Sequence, residues 1–297
     1  MELNDKLNED KDFITEEENI TNEDFSSTTT GFIGGLKYSK LLNGSKNRWK
    51  TLISEVKKYD PSNPIISAIF NTIILGLYIP RYYYHKIKGK EEQYTYKIVN
   101  NWGKTLIKIA KMNLEQIGKV NIEKDRSYVF ISNHTSPYDI PVIYGTLPVL
   151  AGFVANIELS KMPVMNFWMK KAHSIFVDIY NQKSKVSTLK RILENLKNKQ
   201  HVIIFPEGKM SKDGNLQEFN RGGLKAAQIG QSVIIPIALI GVRDVIPPGG
   251  FTLKVDQKVR ICFGEPIDVL NLSSQENKDI DKIAFDTINS LIKKYSF

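Results

Sequence analysis

The chain has 297 residues, of which 41% are hydrophobic and 25% charged, so it is long enough to bury one sizeable core. It contains one cysteine and four histidines. A single cysteine cannot form an intramolecular disulfide, and these residues do not cluster with the spacing of metal ligands. The composition therefore excludes a disulfide scaffold and a Cys/His zinc domain, and we expect no metal.

The net charge of +9 is unevenly distributed along the chain. Residues 1–30 hold ten acids and two lysines, a net charge of −8, which leaves +17 on the remainder. This acidic segment is poor in apolar residues and lacks the basic leader and apolar core of a secretory signal, so we predict a disordered tail over 1–30. The basic remainder predicts either nucleic acid or anionic lipid as a partner. Because apolar stretches accompany the lysines and no nucleic-acid motif is visible, we expect a lipid bilayer and no nucleic acid.

Further along, a segment of twenty uncharged residues runs from Pro61 to Pro80. Its length is close to that of a tilted membrane span, but polar residues and two prolines dilute its apolar character. Basic residues flank both ends, so the positive charges give no orientation. We favour a helix partly immersed from the cytoplasmic face of a membrane over a full span, with a buried core helix as the alternative. The run Tyr82 to Tyr84 suits the membrane interface.

The next predicted helix carries an apolar stripe opposite a face of lysines. The stripe recurs at three- and four-residue spacing. It consists of Tyr94, Ile98, Trp102, Leu106 and Ile109. A surface helix packed on a protein core would show the same pattern. The lysine face favours membrane contact, so we interpret residues 31–113 as a basic, membrane-associated helical region.

The remaining residues, 114–297, alternate predicted strands and helices. This alternation indicates an α/β domain with a central mixed sheet of about seven strands flanked by helices. The predicted strands are 119–122, 128–131, 150–154, 174–177, 201–205, 233–239 and 257–263. The predicted helices are 137–144, 164–172, 184–198, 221–229 and 275–295.

A histidine follows the strand 128–131, within the sequence SNHTSPYD. Ser136 is a good helix N-cap and Pro137 suits the first helical position, so Asp139 is expected in the first turn, near the strand end that carries His134. A carboxylate there can orient the imidazole, stabilise the imidazolium and leave the other ring nitrogen to take a proton from a hydroxyl. A hydrogen-bonded structural histidine in a turn is the alternative.

A second strand end carries an acid, within the sequence HVIIFPEGKMSKDG of residues 201–214. Glu207 stands between the strand and Gly208 in a Pro-Glu-Gly turn, which is an unusual place for a purely structural carboxylate. A solvated surface turn is the alternative. Because ligand sites in α/β sheets form at the carboxyl ends of strands, the loops of His134 and Glu207 are expected to converge on one cleft.

These two motifs resemble the N-H-x-x-x-x-D and F-P-E-G motifs of the glycerophospholipid acyltransferases, which acylate glycerol-3-phosphate or lysophosphatidate. Weaker matches occur in the family's order, and the resemblance runs from about residue 102 to residue 239. The weaker matches are Asn156–Leu159, Pro163 and Phe176–Asp178 for the second block, Phe219–Ala227 after the third, and Val233–Ala238 for the fourth. The resemblance implies that residues 114–297 form an acyltransferase domain.

Several positions depart from the family's pattern. The family has lysine where Asn156 stands and arginine where Ile179 stands. It continues Thr-Arg where this chain has Lys209-Met210. In the family those cations hold the acceptor's phosphate, and an isoleucine does not replace a guanidinium group in that role. Lys209 and Arg221 remain as candidate phosphate-binding residues.

The resemblance implies transfer of an acyl chain from an acyl-CoA or acyl carrier protein thioester to the free hydroxyl of a lysophospholipid. The favoured acceptor is 1-acylglycerol-3-phosphate, which would give phosphatidic acid. His134, oriented by Asp139, would be the general base, Glu207 and Gly208 would order the acceptor, and no cofactor beyond the acyl donor is implied. Three alternatives stay open: an acyltransferase for a lysolipid without phosphate, a non-catalytic membrane lipid-binding protein that retains the fold, and a hydrolase.

Overall fold

The structure is a computed structural model that describes residues 66, 74–247 and 253–297. The predicted acidic tail, 1–30, lies outside the described residues. The described helices are α1 Ile79–Ile87, α2 Glu91–Ile109, α3 Asp139–Thr146, α4 Pro163–Lys171, α5 Gln182–Lys197, α6 Arg221–Ile229, α7 Ser274–Lys278 and α8 Ile280–Tyr295. The described strands are β1 Asn113–Ile117, β2 Tyr128–Ser132, β3 Ala151–Asn156, β4 Ile175–Val177, β5 His201–Ile204, β6 Val233–Ile240, β7 Lys258–Phe263 and β8 Ile267–Asp268.

The strands form one sheet in the order β1-β7-β6-β2-β5-β3-β4, with the short β8 paired to β6. From β6 to β4 all neighbours are parallel, whereas β6 pairs antiparallel with β7 and β8. The predicted mixed sheet is therefore confirmed, with eight strands within the described part of the chain instead of about seven. The parallel arrangement brings the ends of β2, β3, β4, β5 and β6 to one side of the sheet, here called the carboxyl edge.

Helices cover both faces of the sheet, and β2 in its middle is buried along its whole length. Phe130 lies in the apolar core beneath α2, α3 and α4, whereas Val129 and Ile131 lie in the core beneath α5, α6 and α8. Successive side chains of a strand point to opposite faces, so a strand covered on both sides is apolar throughout. The uninterrupted apolar run before His134 has this cause.

The first predicted strand, 119–122, is wrong. The strand β1 lies earlier, at Asn113–Ile117, and pairs in parallel with β7. Gly118 ends it with φ at +79°, and a Cβ on this residue would lie 2.6 Å from a carbonyl oxygen of β7. Val120 and Ile122, whose alternation suggested a strand, are partly buried against the core instead.

The last predicted helix, 275–295, is two helices, α7 and α8, separated at Asp279. A capping box starts α7: Ser273 Oγ accepts from the Glu276 N–H, and the Glu276 carboxylate accepts from the Ser273 N–H. Only α8 carries a sustained apolar face, with Ile280, Ala284 and Ile288 buried.

The apolar stripe of α2 faces the protein, which corrects the expectation that this stripe contacts the membrane. Tyr94, Ile98 and Leu106 are each at most 8% exposed. The helix packs along α3, where Gly103 allows close approach, since a Cβ on Gly103 would lie 2.5 Å from the Gly145 nitrogen. The lysine face of α2 is exposed as predicted. The stripe therefore joins the N-terminal helices to the sheet.

Of the uncharged segment 61–80, residues 61–65 and 67–73 lie outside the described residues. Leu75 is buried, and its carbonyl oxygen accepts a hydrogen bond from Trp168 Nε1 at 2.9 Å. Tyr82 is buried too, whereas Tyr83 and Tyr84 are about half exposed. Among the described helices, none combines the length and apolar character that crossing a membrane requires.

Candidate active site

His134 lies on the loop that leaves β2 at the carboxyl edge. The residue before it, Asn133, is buried and pairs with β6 through its side chain. Its Nδ2 donates to the Leu239 carbonyl oxygen at 2.9 Å, and its Oδ1 accepts from the Leu239 N–H at 2.8 Å. An asparagine amide can do both because it carries a donor and an acceptor. The start of the His134 loop is thus fixed to the sheet.

Asp139 lies beside His134, as the sequence predicted. Its Oδ2 is 2.7 Å from His134 Nδ1 and also accepts from the N–H groups of Thr135 at 2.6 Å and Ser136 at 2.9 Å. Because an ionised carboxylate only accepts hydrogen bonds, Nδ1 carries the proton of the neutral ring, and Nε2 is the nitrogen that can accept one. The Asp139 side chain is fully buried, whereas that of His134 keeps 21% of its surface exposed. The imidazole of His134 is therefore partly exposed, while the carboxylate that orients it is buried.

The helix α3 begins two residues later than the sequence predicted. Ser136 Oγ accepts from the Tyr138 N–H at 3.3 Å, which closes a turn, and Asp139 is the first helical residue. Asp139 accepts hydrogen bonds from backbone N–H groups that precede the helix, and its negative charge suits a helix N-terminus. The predicted proximity of His134 and Asp139 is unaffected by this shift.

Phe205, the first residue after β5, stacks on the ring of His134. The two ring centroids are 4.1 Å apart and the planes are inclined by 13°. Phe153 of β3 stacks in turn on Phe205, with centroids 5.6 Å apart. The flat contact and the Asp139 hydrogen bond together restrict rotation of the imidazole. Phe205 belongs to the F-P-E-G motif, and the sequence alone indicates no stacking role for it.

Glu207 is buried, and both of its carboxylate oxygens accept backbone hydrogen bonds. Oε1 accepts from the His134 N–H at 2.7 Å, and Oε2 accepts from the Gln217 N–H at 2.9 Å. Burial raises the pKa of Glu207, and these two hydrogen bonds oppose that effect. With both oxygens engaged, the side chain joins the loop after β2 to the loop after β5. That Glu207 orders the acceptor, as the sequence suggests, stays a prediction.

Ser211 forms a second link between the same loops, and sequence reasoning missed it. Its N–H donates to the His134 carbonyl oxygen at 2.8 Å, so both backbone polar groups of His134 bond to the loop after β5. The buried Ser211 hydroxyl lies 2.9 Å from Asp213 Oδ1 and 2.8 Å from the Asn215 carbonyl oxygen. A serine in a polar loop is too common a pattern to have indicated this role.

Gly208 adopts φ of +72°, a backbone conformation that favours glycine. Its N–H donates to the Phe205 carbonyl oxygen at 3.0 Å, which closes the Pro-Glu-Gly turn. A Cβ on Gly208 would lie 2.9 Å from Asn220 Nδ2. That amide donates to the carbonyl oxygens of Pro206 and Glu207, each at 3.1 Å. The Asn220 side chain therefore stabilises the Pro-Glu-Gly turn through these two hydrogen bonds.

Of the two predicted phosphate-binding cations, Lys209 and Arg221, the structure describes the side chain of Lys209. Lys209 is exposed on the loop after β5. Arg221 begins α6, but its side chain lies outside the described residues. Asn156, which stands where the family has lysine, ends β3 and accepts from the Glu158 N–H at 3.1 Å. Ile179 is partly buried in the loop after β4. The described residues therefore bring one predicted cation, Lys209, to the carboxyl edge.

Part of the chain is similar to known acyltransferases. Residues 113–240 match the family model described as Acyltransferase. Over 165 residues the chain is 29% identical to a chloroplastic 1-acyl-sn-glycerol-3-phosphate acyltransferase of Arabidopsis thaliana, covering 53% of this chain and 46% of that protein. It is 28% identical to the 1-acyl-sn-glycerol-3-phosphate acyltransferase of Saccharomyces cerevisiae, and the match covers 58% of this chain and 55% of that protein. The chain thus spans about half the length of these curated relatives.

Among solved structures, the protein is similar to the 1-acyl-sn-glycerophosphate (LPA) acyltransferase PlsC from Thermotoga maritima. The TM-score is 0.69 at 26% sequence identity, covering 84% of this chain and 96% of that one. The family match extends from β1 to the end of β6, and so includes both loops that meet at His134. The motifs, their convergence on one edge and these similarities agree, and residues 113–240 of the chain are similar to the acyltransferase family.

Proposed function

We propose that the protein transfers an acyl chain from an acyl-CoA or acyl carrier protein thioester to the free hydroxyl of 1-acylglycerol-3-phosphate, giving phosphatidic acid. The observation that carries this proposal is the His134–Asp139 pair at 2.7 Å, held at the end of a central strand. Relatives that are named as 1-acyl-sn-glycerol-3-phosphate acyltransferases support the acceptor.

In the proposed reaction, His134 Nε2 accepts the proton of the acceptor's hydroxyl as that oxygen attacks the thioester carbonyl carbon. The carbon–sulfur bond then breaks, and the departing thiolate takes the proton back from the imidazolium. The products are an ester and a free thiol. Asp139 holds the ring in the required tautomer and stabilises its positive charge while the proton is on Nε2. General base catalysis of this kind contributes a factor of about 10² to 10⁴, and positioning supplies much of the rest.

The geometry of the dyad argues against a non-catalytic lipid-binding protein. A buried carboxylate that accepts three hydrogen bonds, one of them from a partly exposed imidazole, is an arrangement suited to proton transfer. The acceptor is less constrained by the site, because Asn156 and Ile179 stand where the family has cations. An acyltransferase for a lysolipid without phosphate is therefore the second candidate.

We also propose that the enzyme works on the cytoplasmic face of a membrane with anionic lipid. Large apolar side chains are exposed around the carboxyl edge and on the first helices, among them Met162, Tyr180 and Met210 at the edge and Tyr83 and Ile87 on α1. Exposed lysines accompany them, including Lys86, Lys88 and Lys209. Apolar side chains that enter the interface and lysines that attract anionic headgroups are the two components of such binding. Both substrates of the proposed reaction carry acyl chains.

The proposal is tested with purified protein, an acyl-CoA and a reagent that reports free thiols. We expect CoA release that depends on added 1-acylglycerol-3-phosphate, with phosphatidic acid formed in equal amount by mass spectrometry. Equal release without an acceptor would identify a hydrolase. Release that depends on a neutral lysolipid instead would establish the second candidate, and no release with either CoA or carrier-protein thioesters would favour lipid binding alone.

A further inference from the structure

An arginine that sequence reasoning did not consider lies at the carboxyl edge, on the loop after β6. Arg243 is the middle residue of the 3₁₀ turn Val242–Asp244, and β6 is the immediate neighbour of β2 in the sheet. Gly241, which precedes the turn, has φ of +78° and redirects the chain at the end of the strand. The loops that follow two adjacent parallel strands thus carry His134 and Arg243.

The guanidinium group of Arg243 has hydrogen-bond donors without acceptors among the described residues. One terminal nitrogen donates to the Lys212 carbonyl oxygen at 2.8 Å. Its Nε is buried and has no hydrogen-bond acceptor among the described residues. Arg126 and Arg260 differ, because each has a carboxylate partner, at 2.6 Å and 2.7 Å. A partly buried guanidinium with unused donors is an unfavourable arrangement that a bound anion would stabilise.

The same loop that bonds to Arg243 also bonds to the general base. Ser211 donates its N–H to the His134 carbonyl oxygen, and the next residue, Lys212, accepts from Arg243. Two residues of extended chain span at most about 7 Å, so the guanidinium group lies within roughly 13 Å of the His134 backbone. The aliphatic part of the Arg243 side chain also packs closely against this loop. A Cβ on Gly214 would lie only 2.9 Å from Arg243 Cδ.

We propose that Arg243 binds a substrate phosphate beside the His134–Asp139 pair, an inference that rests on the proposed acyltransferase function. Arginine suits this role because its planar fork forms paired hydrogen bonds with phosphate oxygens. Arg243 would supply a guanidinium group that Ile179, which stands where the family has arginine, does not provide. The phosphate belongs either to the acceptor, where it is attached next to the carbon that bears the reacting hydroxyl, or to the CoA portion of the donor.

The test compares Arg243→Gln with Arg243→Lys and with Lys197→Gln, a charge control on an exposed residue at the far end of α5. We expect Arg243→Gln to raise the KM for 1-acylglycerol-3-phosphate about tenfold or more, with kcat/KM for a monoacylglycerol nearly unchanged. Arg243→Lys should recover part of the loss, and Lys197→Gln should match wild type. A tenfold rise in the KM for acyl-CoA, absent with an acyl thioester of N-acetylcysteamine, would assign the phosphate to the donor.

Equal losses with every substrate, or no change with any, would overturn the assignment. Calorimetric binding of glycerol 3-phosphate and of CoA separates this result from a failure of the proposed function. If wild type acylates no lysolipid, tenfold weaker binding of either probe to Arg243→Gln still supports the phosphate site. Binding that is equal in the two proteins, or undetectable for both probes in wild type, contradicts it. If Arg243→Gln does not fold, the same measurements on Arg243→Lys decide, with a smaller loss expected.

Discussion

The backbone N–H of His134 donates to Glu207 Oε1 at 2.7 Å, so the acid of one motif holds the histidine of the other. The second oxygen of Glu207 binds the Gln217 N–H at 2.9 Å, which ties down the far part of the loop after β5. One buried carboxylate thus sets the spacing of two loops that are 73 residues apart in sequence. Its position explains why an acid occurs between the strand β5 and Gly208.

Replacement of Glu207 by Gln should lower kcat about tenfold or more and leave the KM for the acceptor nearly unchanged. The amide offers one oxygen, so one of the two N–H donors would face an NH₂ group. Leaving a buried donor unsatisfied costs about 1 to 3 kcal/mol, part of which is offset because the amide carries no buried charge. Steady-state kinetics and thermal unfolding check this, with the exposed Glu218→Gln as the matched control. A higher acceptor KM at unchanged kcat would show that Glu207 binds the acceptor directly.

Replacement of Asp139 by Asn should reduce kcat by a factor on the order of 10² while the protein still folds. The amide oxygen can take the place of Oδ2 and keep the three hydrogen bonds, since Oδ1 has no partner among the described residues. What is lost is the negative charge that stabilises the imidazolium. Asp139→Ala should be slower still and less stable, because three donors lose their acceptor. An Asp139→Asn enzyme with wild-type kcat would exclude this role for the carboxylate.

Two glycines near the loop after β5 offer a matched pair of substitutions. Gly208→Ala should destabilise the protein by about 1 to 2 kcal/mol, because φ is +72° and the added Cβ would lie 2.9 Å from Asn220 Nδ2. Gly222→Ala, in the first turn of α6, meets nothing within 4 Å among the described residues and should be neutral or stabilising. Denaturant unfolding of both variants measures the difference. Equal stability of the two would show that the turn is not constrained as described.

Stability should fall between about pH 6.5 and pH 4 because of His201. Burial lowers the pKa of His201 to about 4, and its Nδ1 has no partner among the described residues. Below pH 6.5 the unfolded chain binds a proton that the folded protein does not, so the stabilisation present at neutral pH is lost as the pH falls, by up to about 3 kcal/mol. His201→Phe, which keeps the aromatic contacts with Tyr128 and Phe130, should flatten this part of the pH profile. Unfolding free energies at pH 7.5 and 4.5 give the comparison, and an equally steep fall in the variant would assign the effect elsewhere.

The sequence predicted the sheet and the dyad because both depend on local patterns. Continuous apolar runs mark strands that are buried on both faces, and the carboxyl ends of parallel strands meet at one edge, which brings the loops of His134 and Glu207 together. The strand β1 was misplaced because its residues are mostly exposed and its pairing with β7 is set by contacts 145 residues away. A half-exposed edge strand leaves only a weak alternation in the sequence.

The supporting residues of the site could not be predicted for a related reason. Asn133 and Arg243 through their side chains, and Ser211 through its N–H, bond to backbone oxygens that become neighbours only when the sheet forms. The face of α2 was misassigned because an apolar stripe has the same spacing whether it meets lipid or protein. Gly103 indicates a close helix contact, but the sequence around it does not reveal that the partner is α3.

The most direct test of the central claim is the amount of phosphatidic acid formed by wild type and by His134→Ala. Equal amounts of each purified protein are incubated with an acyl-CoA and 1-acylglycerol-3-phosphate, and the product is measured by mass spectrometry. We predict that wild type forms phosphatidic acid and that His134→Ala, folded to the same extent by circular dichroism, forms it more slowly by a factor of about 10² to 10⁴. Formation by His134→Ala at the wild-type rate would contradict the assignment of His134 as the general base.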